Sequence, residues 1–511
     1  MDFPINISST SDVPLHRQIY EELRRAILSG RLARGKRVPS TREMSKSVGV
    51  ARATVSMAYD YLLSEGYFEA YRGSGTYVSR QLPDELLEAT DDIDDLVEQL
   101  PERSTLKTRP RQLSQYGQTL QSKDWLGYPD EEPEIQFTFG RPDLDEFPAR
   151  IWSQLLTRHC RSRQLWLLDC PTKARGYTPL RNAIADYLAK ARAVICDPDQ
   201  IIIVNGSQQA LDLVTRVLVD PGDIVGIEEP GYIGAQKAFH AQGAKLSPVF
   251  VDSNGVRVDF LKSRYDISTP DDMKLLYVTP SHQYPTGVSL SLGRRLDLLA
   301  WASRTGTIII EDDYDSEYRY KGKPIPALAG IDSGASVIYI GTFSKVLLPA
   351  LRLGYLVVPK DLIDVFARAK WLNDRHSSLI QQQVLSDFIT EGHMERHIRR
   401  MRALYGERRL LMIEALKGLF GSDVTIYGEN AGINMLVRFN TDIPDDELVI
   451  RARNLGVGIS STRYMYLGDA PHGEYLLNYG GLKDQEIIEG LTRLRAAMDR
   501  QETLLPVEAQ D

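Results

Sequence analysis

Apolar side chains near the start of the chain recur every three to four residues, which is the period of an amphipathic helix. A first helix is therefore predicted from about residue 14 to residue 29. The residues with this spacing are Leu15, Ile19, Leu23 and Ile27.

The same pattern predicts two shorter helices joined by a tight turn. Ser40, with Glu43 three residues later, has the spacing of a capping box, so a second helix is expected to begin there. After a turn at 48–50, apolar residues at helical spacing predict a third helix that ends near Gly66. Two such helices can place the second one in the major groove of DNA.

Two short strands are predicted next, over residues 66–70 and 76–78, with Arg72 at the turn between them. Small and basic residues at the start of the third helix leave that end open to contact bases. This part of the chain is therefore predicted to be a winged helix-turn-helix.

From about residue 135, apolar strands alternate with amphipathic helices, which predicts an α/β domain with a mostly parallel sheet. Apolar runs at 201–204, 307–310 and 337–340 each lead directly into polar residues. Ligands of open α/β sheets bind at the carboxyl ends of the strands. The polar residues after these runs are therefore the candidate site.

Each of the three strand ends offers a different kind of group. Ser207 and Gln208 begin a helix, where backbone N–H groups can bind an anion. Asp312 would be a buried carboxylate, which is costly without a cationic partner such as a protonated pyridine nitrogen. Lys345 can form a Schiff base, and Arg352 suits a phosphate dianion. A single lysine is more often a surface residue, but the three strand ends together favour a site.

Length and composition limit the class of protein. A chain of 511 residues is expected to hold two to four domains. No apolar run approaches the roughly 20 residues of a membrane span. The first residues lack a secretory signal, and the three cysteines (Cys160, Cys170 and Cys196) form neither a metal-binding nor a disulfide pattern. We expect a cytoplasmic protein without a bound metal or a membrane partner.

The net charge of −8 is unevenly distributed along the chain. Residues 1–80 contain 12 lysines and arginines against 8 acidic residues, whereas residues 81–100 contain 8 acidic residues and no basic one. A mildly basic head is compatible with DNA binding although the whole chain is acidic. The expected domains are a DNA-binding head over 1–80, an acidic linker over 81–134, a large domain over 135–500 and a tail over 501–511. Packing of part of the linker on the large domain is the alternative.

Four motifs, at 39–44, 49–55, 65–67 and 73–78, resemble the winged helix-turn-helix of GntR-type bacterial repressors. The resemblance implies that operator DNA is a partner. The residues implied to contact it are Thr41, Arg42, Arg52, Thr54, Arg72 and Gly75. Ala51 stands where the family usually has serine, and the missing N-cap predicts a helix start weaker by about 1 kcal/mol.

Residues 135–500 resemble the fold-type I aminotransferases, which depend on pyridoxal 5'-phosphate (PLP). The implied fold class is multidomain: a winged helix-turn-helix plus an α/β PLP-dependent transferase domain with a smaller C-terminal α+β subdomain. By the resemblance, Lys345 holds the aldehyde of PLP, Asp312 its pyridine nitrogen and Tyr314 its phenolic oxygen. Tyr232 is implied to stack on the ring. The implied phosphate ligands are Arg352, Thr342, Ser344, Ser207 and Gln208.

A GntR-type head on an aminotransferase-like body resembles the MocR/GabR regulators from end to end. In these regulators the body acts as an effector sensor. Tyr177 matches the tyrosine that reaches the phosphate of the neighbouring subunit, so the resemblance implies a homodimer, domain-swapped and head-to-tail. We expect a PLP-dependent transcription regulator with a small-molecule effector, and not an enzyme.

Three positions of the large domain depart from the patterns of the aminotransferases or of the GABA-responsive regulators. Tyr284 stands where aminotransferases have an asparagine that binds the phenolic oxygen. Leu476 stands where they have the arginine for the substrate α-carboxylate, and Gly234 stands where GABA-responsive regulators have a basic residue. Arg141 and Arg463 are the candidate substitutes, with a solvated side chain as the alternative for each. Because leucine cannot bind a carboxylate, transamination is expected to be absent or slow. The effector is expected to be PLP itself, or an amine or amino acid.

Two other functions stay open at this point. A working aminotransferase with an accessory head would need measurable turnover and another means of carboxylate recognition. The other hypothesis is a winged-helix scaffold whose large domain has lost cofactor binding. The presence of Lys345, Asp312 and Arg352 counts against it.

Overall fold

The computed structural model describes residues 7–8, 13–71, 73–83, 112–121, 133–138, 140–161, 174–268, 272–320, 325–332, 336–428 and 430–499. The chain forms two compact units, which divide between Gln112 and Leu113. Arg72, most of the predicted linker and the predicted tail lie outside the described residues.

In the residues that the structure describes, the first unit contains three helices and a two-stranded antiparallel sheet. They are α1 (Leu15–Leu28), α2 (Thr41–Val48), α3 (Arg52–Ser64), β1 (Phe68–Tyr71) and β2 (Gly75–Val78). The predicted apolar stripes of α1 and α3 pack against each other in one hydrophobic core. The predicted winged helix-turn-helix is therefore the fold of this unit.

Local sequence determines where α2 and α3 begin. Ser40 Oγ accepts a hydrogen bond from the Glu43 N–H at 3.2 Å, and the Glu43 carboxylate accepts one from the Ser40 N–H at 2.8 Å. Gly49 ends α2 in the left-handed conformation, with φ of 73°. Ala51 begins α3 without a side-chain cap, as the sequence indicated.

The second unit contains fourteen strands and thirteen α-helices in the described residues. The strands are β3 (Ile135–Gln136), β4 (Ile201–Val204), β5 (Ile224–Glu229), β6 (Lys245–Asp252), β7 (Gly255–Val256), β8 (Met273–Val278), β9 (Ile308–Asp313), β10 (Val337–Thr342), β11 (Gly354–Val357), β12 (Val424–Tyr427), β13 (Asn434–Phe439), β14 (Val457–Gly458), β15 (Ser460–Ser461) and β16 (Glu474–Asn478). The helices are α4 (Gln115–Leu120), α5 (Ala149–Arg161), α6 (Thr178–Arg192), α7 (Ser207–Leu218), α8 (Ile233–Ala241), α9 (Val258–Arg264), α10 (Leu292–Thr305), α11 (Leu328–Ile331), α12 (Ile363–Asp374), α13 (Leu379–Thr390), α14 (His393–Phe420), α15 (Asp445–Asn454) and α16 (Asp484–Asp499).

An eight-stranded sheet forms the centre of the second unit, in the order β4–β11–β10–β9–β8–β5–β6–β7. Only β11 and β7 run antiparallel to the other six, so the predicted mostly parallel sheet is confirmed. Consecutive residues of β9 face opposite sides of the sheet. Ile310 packs in the cluster with α7 and α8, whereas Ile309 packs in the cluster with α10.

A second antiparallel sheet, in the order β12–β13–β16–β15, forms the smaller C-terminal subdomain. Its core contains residues of α14 and α16, and it also receives Ile135 of β3 and Phe137. This is the predicted α+β subdomain.

Helix α4 lies within the segment that was expected to be linker, and it contacts α8 of the second unit. Among the helices of the described residues, none combines the length and the apolar character that crossing a bilayer requires.

Candidate functional site

Lys345 follows β10 at the carboxyl edge of the large sheet. Its Nζ donates a hydrogen bond to the Gly140 carbonyl at 2.6 Å, and a Cβ on Gly140 would lie 3.0 Å from this Nζ. Burial lowers the pKa of Lys345, although the carboxylates of Asp315 and Asp312 oppose that change. An amine that loses its proton easily is a nucleophile suited to an aldehyde.

Asp312 lies on the neighbouring strand β9 and is only 4% exposed. Its Oδ2 accepts a hydrogen bond from the Tyr277 hydroxyl at 2.8 Å. Its Oδ1 is buried and has no hydrogen-bond partner among the described residues. Burial raises the pKa of Asp312 to about 7. A cation next to Oδ1 would satisfy this oxygen and stabilise the charged carboxylate.

Three tyrosines lie together at the same edge. The ring of Tyr284 packs edge-on against Tyr232, with centroids 5.7 Å apart, and against Tyr314, with centroids 5.8 Å apart. The Tyr314 hydroxyl lies 3.1 Å from His282 Nδ1. The structure therefore brings together the residue expected to stack on a ring and the residue expected to bind a phenolic oxygen.

The start of α7 and Arg352 form an anion-binding arrangement. Arg352 donates a hydrogen bond from Nη2 to the Asn205 carbonyl at 2.8 Å. A Cβ on Gly206, the residue before α7, would lie 3.4 Å from the guanidinium atoms. Ser207 is the first residue of α7. The exposed Arg352 and the backbone N–H groups of this helix start therefore face the same small region.

The other expected phosphate ligands have partners within the protein. Thr342 Oγ1 accepts a hydrogen bond from the Ser344 N–H at 3.2 Å. Gln208 donates a hydrogen bond from its amide to the Gly234 carbonyl at 3.2 Å, which places its side chain on α8. Direct phosphate contact by these three residues stays a prediction.

Tyr177 lies at the start of α6. Its backbone N–H donates to Gln382 Oε1 at 2.8 Å, and its ring packs against the hydrophobic cluster beneath β4 and β11. Its part in the site of a partner subunit stays a prediction.

The position of the aminotransferase arginine is apolar in this protein. Leu476 is buried in a small cluster with Leu436 and Met465, and Tyr284 packs against that cluster. Gly234 leaves room for the ring of Tyr232, since a Cβ there would lie 2.5 Å from Cζ of the tyrosine. Apolar and aromatic groups therefore surround the position at which the aminotransferases have the arginine for a substrate carboxylate, as the sequence predicted.

Arg463, one of the two candidate substitutes for that arginine, is committed to another partner. Its guanidinium forms an exposed ion pair with Asp446 at 3.3 Å.

A buried polar network beneath the start of α7 was not identified from the sequence. Lys370 is fully buried, and its Nζ donates hydrogen bonds to Gln209 Oε1 at 2.9 Å, Asp374 Oδ2 at 2.6 Å and Ser377 Oγ at 3.1 Å. Asp374 Oδ2 also accepts a hydrogen bond from Asn205 Nδ2 at 2.6 Å. The network joins α12 to the loop that carries Arg352's carbonyl partner. A lysine within the apolar stripe of α12 was the available signal.

The first unit exposes basic side chains at the start of α2 and α3. Arg42 and Arg52 are exposed, and Arg52 Nε donates a hydrogen bond to Thr41 Oγ1 at 3.2 Å. Thr54 is half-buried in the first turn of α3. Four of the expected DNA-contact residues therefore lie at the two helix starts that a helix-turn-helix presents to DNA.

Arg37 joins this surface through backbone pairing that the sequence did not indicate. Hydrogen bonds from the Val38 N–H to the Thr76 carbonyl and from the Val78 N–H to the Lys36 carbonyl align this segment beside β2. The guanidinium of Arg37 lies so close to Gly75 that a Cβ there would be 2.8 Å from its Nε. Gly75 therefore admits an arginine at the base of the wing.

The fold and these two sites define a class of protein, in which a winged-helix DNA-binding unit precedes an aminotransferase-type unit. Residues 15–78 match the model for bacterial regulatory proteins of the gntR family, and residues 172–492 match the model for aminotransferase class I and II. The probable rhizopine catabolism regulatory protein MocR of Rhizobium meliloti is 39% identical over 95% of this chain and 94% of its own length. The chain belongs to the MocR-type transcription regulators, and the resemblance drawn from its motifs is confirmed.

Two further comparisons describe the family and the fold. The pyridoxine biosynthesis transcriptional regulator PdxR of Corynebacterium glutamicum is 29% identical over 94% of this chain and 95% of its own. A kynurenine aminotransferase of Pyrococcus horikoshii, solved in complex with PMP, matches with a TM-score of 0.67 and 30% identity over 79% of this chain and 97% of its own. A gntR-family head implies DNA binding, and the aminotransferase fold implies dependence on pyridoxal phosphate.

Proposed function

We propose that the large unit of this regulator binds PLP covalently through Lys345 and uses the bound cofactor to sense a small molecule. The observation that carries the proposal is the unpaired, buried Oδ1 of Asp312 on the strand beside the Lys345 loop. A protonated pyridine nitrogen would satisfy that oxygen. Among the described residues, no cationic side chain donates a hydrogen bond to this oxygen.

The other residues at the sheet edge fit the remaining parts of the cofactor. Tyr314 would donate to the phenolic oxygen, and Tyr232 would cover the ring. Arg352 and the start of α7 would hold the phosphate, a dianion suited to a guanidinium and to free backbone N–H groups. When bound, PLP supplies an aldehyde that combines with amines.

The chain's own residues favour sensing over transamination. Leu476, Leu436 and Met465 form an apolar wall in place of a carboxylate partner. An amino acid would have to leave its carboxylate unpaired beside this wall, which is costly. The proposed effector is therefore PLP itself or an amine. One relative is named for pyridoxine biosynthesis and another for rhizopine catabolism.

Operator recognition is proposed for the first unit. Arg42 and Arg52, supported by Thr41, Thr54 and the wing residues Arg72 and Gly75, would contact DNA, and Arg37 is added to this set. The proposed assembly is a domain-swapped, head-to-tail homodimer in which Tyr177 contributes to the site of the partner. Effector binding would shift the population of head arrangements and so change operator affinity.

The first experiment tests the cofactor. Purified protein is incubated with PLP, reduced with borohydride and digested with a protease. The masses of the peptides are then measured by mass spectrometry. The peptide that contains Lys345 is expected to gain the mass of the reduced cofactor. Lys345→Ala should give no such peptide, whereas Lys360→Ala, at an exposed lysine, should behave as the unmodified protein. A missing adduct in the unmodified protein refutes the proposal.

The second experiment separates the sensor from an enzyme. The loaded protein is mixed with common amino acids, and visible absorbance follows the cofactor. Slow or absent conversion to the amine form of the cofactor is expected. Rapid conversion by a particular amino acid would instead support a working aminotransferase with an accessory head.

A further inference from the structure

His282 is buried next to Tyr314 and takes part in no contact that the family resemblance assigned. It is 4% exposed, and its Nδ1 lies 3.0 Å from both carboxylate oxygens of Asp315 and 3.1 Å from the Tyr314 hydroxyl. A Cβ on Gly432 would lie 2.2 Å from Cε1 of the imidazole. The ring is therefore held in place from two sides.

The surroundings of the two ring nitrogens determine which one carries the hydrogen. Carboxylate oxygens accept hydrogen bonds, so Nδ1, which faces Asp315, must be the donor. Nε2 is buried without a partner among the described residues. A neutral ring with its hydrogen on Nδ1 leaves only a lone pair at Nε2 and avoids a buried, unpaired N–H.

This tautomer dictates the direction of the Tyr314 hydroxyl. A protonated Nδ1 cannot accept a hydrogen bond, so Tyr314 can only accept from it. Burial, followed by the charge of Asp315, keeps the pKa of Tyr314 well above its usual value, so the phenol retains its hydrogen. That hydrogen is then available to a different acceptor.

We propose that His282, held by Asp315, is a positioning residue that directs the Tyr314 hydrogen toward the phenolic oxygen of PLP. The inference rests on the proposed function, because it assigns the acceptor to the bound cofactor. His282 itself does not touch the cofactor in this scheme. It acts by removing the competing acceptor from Tyr314.

The hydrogen bond has a measurable effect on the bond between PLP and Lys345. A donor at the phenolic oxygen stabilises its more negative form, in which the nitrogen of that bond has lost its proton. Loss of the donor therefore raises the pH at which this nitrogen titrates. The charged groups that act on Tyr314 and Lys345 are Asp312, Asp315 and Glu228, and none of these residues is substituted in the variants below. His282→Phe also takes the imidazole from Asp315, and His282→Asn gives that carboxylate a donor again.

The test is a pH titration of visible absorbance on full-length protein loaded with PLP. His282→Phe and Tyr314→Phe are each expected to raise the midpoint by about one pH unit, the size of a hydrogen bond to a charged group. The double variant should shift no further than either single one, because both remove the same hydrogen bond. His282→Asn, whose amide can donate to Asp315 and Tyr314, should restore the midpoint. His240→Phe, at an exposed histidine of α8, is the matched control.

A second measurement needs no cofactor. Nitrogen-15 NMR of histidine-labelled protein distinguishes the two neutral tautomers, and the His282 signal is identified by its absence in His282→Phe or His282→Asn. A hydrogen on Nδ1 is expected, and a hydrogen on Nε2 overturns the inference.

The two kinds of failure are distinct. Protein that gains no visible absorbance with PLP contradicts the proposed function. Protein that gains it, but whose titration midpoint is the same in His282→Phe as in the unmodified chain, contradicts only the role of His282.

Discussion

Three consecutive acidic residues end β9, and the protein satisfies them unequally. Glu311 accepts hydrogen bonds from the backbone N–H groups of Leu328 and Ala329 at 2.8 and 2.9 Å. Asp313 pairs with Arg192 at 2.6 Å. Of these three residues, only Asp312 has a fully buried oxygen without a hydrogen-bond partner among the described residues. The sequence shows three carboxylates in a row, and only their surroundings identify the one suited to a ligand.

The unpaired carboxylate makes stability depend on pH in the cofactor-free protein. The pKa of Asp312 is raised to about 7 by burial, above the unfolded value of about 3.9. The folded state then binds more protons between these values, so stability from this group is present at low pH and is lost as pH rises toward about 7. Asp312→Asn should remove that loss.

The measurement is the melting temperature of cofactor-free protein across this pH range. The difference between Asp312→Asn and the unmodified protein should grow in favour of the variant as pH rises. Asp361→Asn, at an exposed aspartate, should show no such trend. A difference that is constant with pH would contradict the assignment.

At the scale of elements, helix ends position both sites. A capping box fixes the start of α2, and α3 begins at Ala51 without one. In the large unit, Gly206, the residue before α7, has φ of 87°, a positive φ that glycine adopts without strain. The chain therefore leaves the N–H groups of α7 open toward Arg352.

Substitutions at the N-caps of α2 and α3 test how much each cap stabilises its helix. Ala51→Ser should stabilise α3 by about 1 kcal/mol, and Ser40→Ala should destabilise α2 by a similar amount. Amide hydrogen exchange of the full chain, followed by mass spectrometry, measures the two helices separately. Ser47→Ala, at an exposed position within α2, serves as the control. Equal protection of α3 in Ala51→Ser and in the unmodified protein would contradict the expectation.

The network under α7 predicts a defect specific to phosphate. Lys370→Met leaves Asp374 without its buried cation and loosens the loop at Asn205, so affinity for PLP should fall by about tenfold or more. Pyridoxal, which lacks the phosphate, should lose little affinity. Absorbance titration with each compound gives both constants. Lys360→Met is the control, and an equal loss for the two compounds would indicate general loosening of the fold.

At the scale of the whole molecule, two units with different chemistry share one chain. The head exposes Arg37, Arg42 and Arg52, whereas the large unit contains buried charged groups, among them the pairs Arg192–Asp313 and Lys370–Asp374. Phosphate neutralisation by the head should make operator binding depend strongly on salt. The response to the effector should depend on the large unit.

Two variants should separate these properties in full-length protein. Arg52→Ala is expected to weaken operator binding and to reduce the slope of affinity against salt. Lys345→Ala should keep that slope but lose the change in affinity caused by PLP. Fluorescence anisotropy with labelled operator, at several salt concentrations and with or without PLP, measures both. A Lys345→Ala protein that still responds to PLP would contradict covalent sensing.

Much of the fold was predictable because its signals are local. The apolar stripe of α1, the capping box at Ser40 and the strand ends before Asn205 and Lys345 are each visible within a few neighbouring residues. Motifs of this kind also indicated the family. The structure places most of the expected cofactor residues at one edge of the sheet, while Tyr177 lies at the start of α6 and Gln208 is bonded to α8.

By itself, the sequence determined the two kinds of domain, the order of their elements and the lysine expected to hold PLP. Only the tertiary structure decided that Lys370 supports the loop before α7, that Arg37 lies beside the wing, that Leu476 belongs to an apolar wall and that His282 faces both Asp315 and Tyr314. The physical reason is distance along the chain. Periodicity and capping are set by adjacent residues, whereas hydrogen bonds, burial and charge partners join residues that only folding brings together.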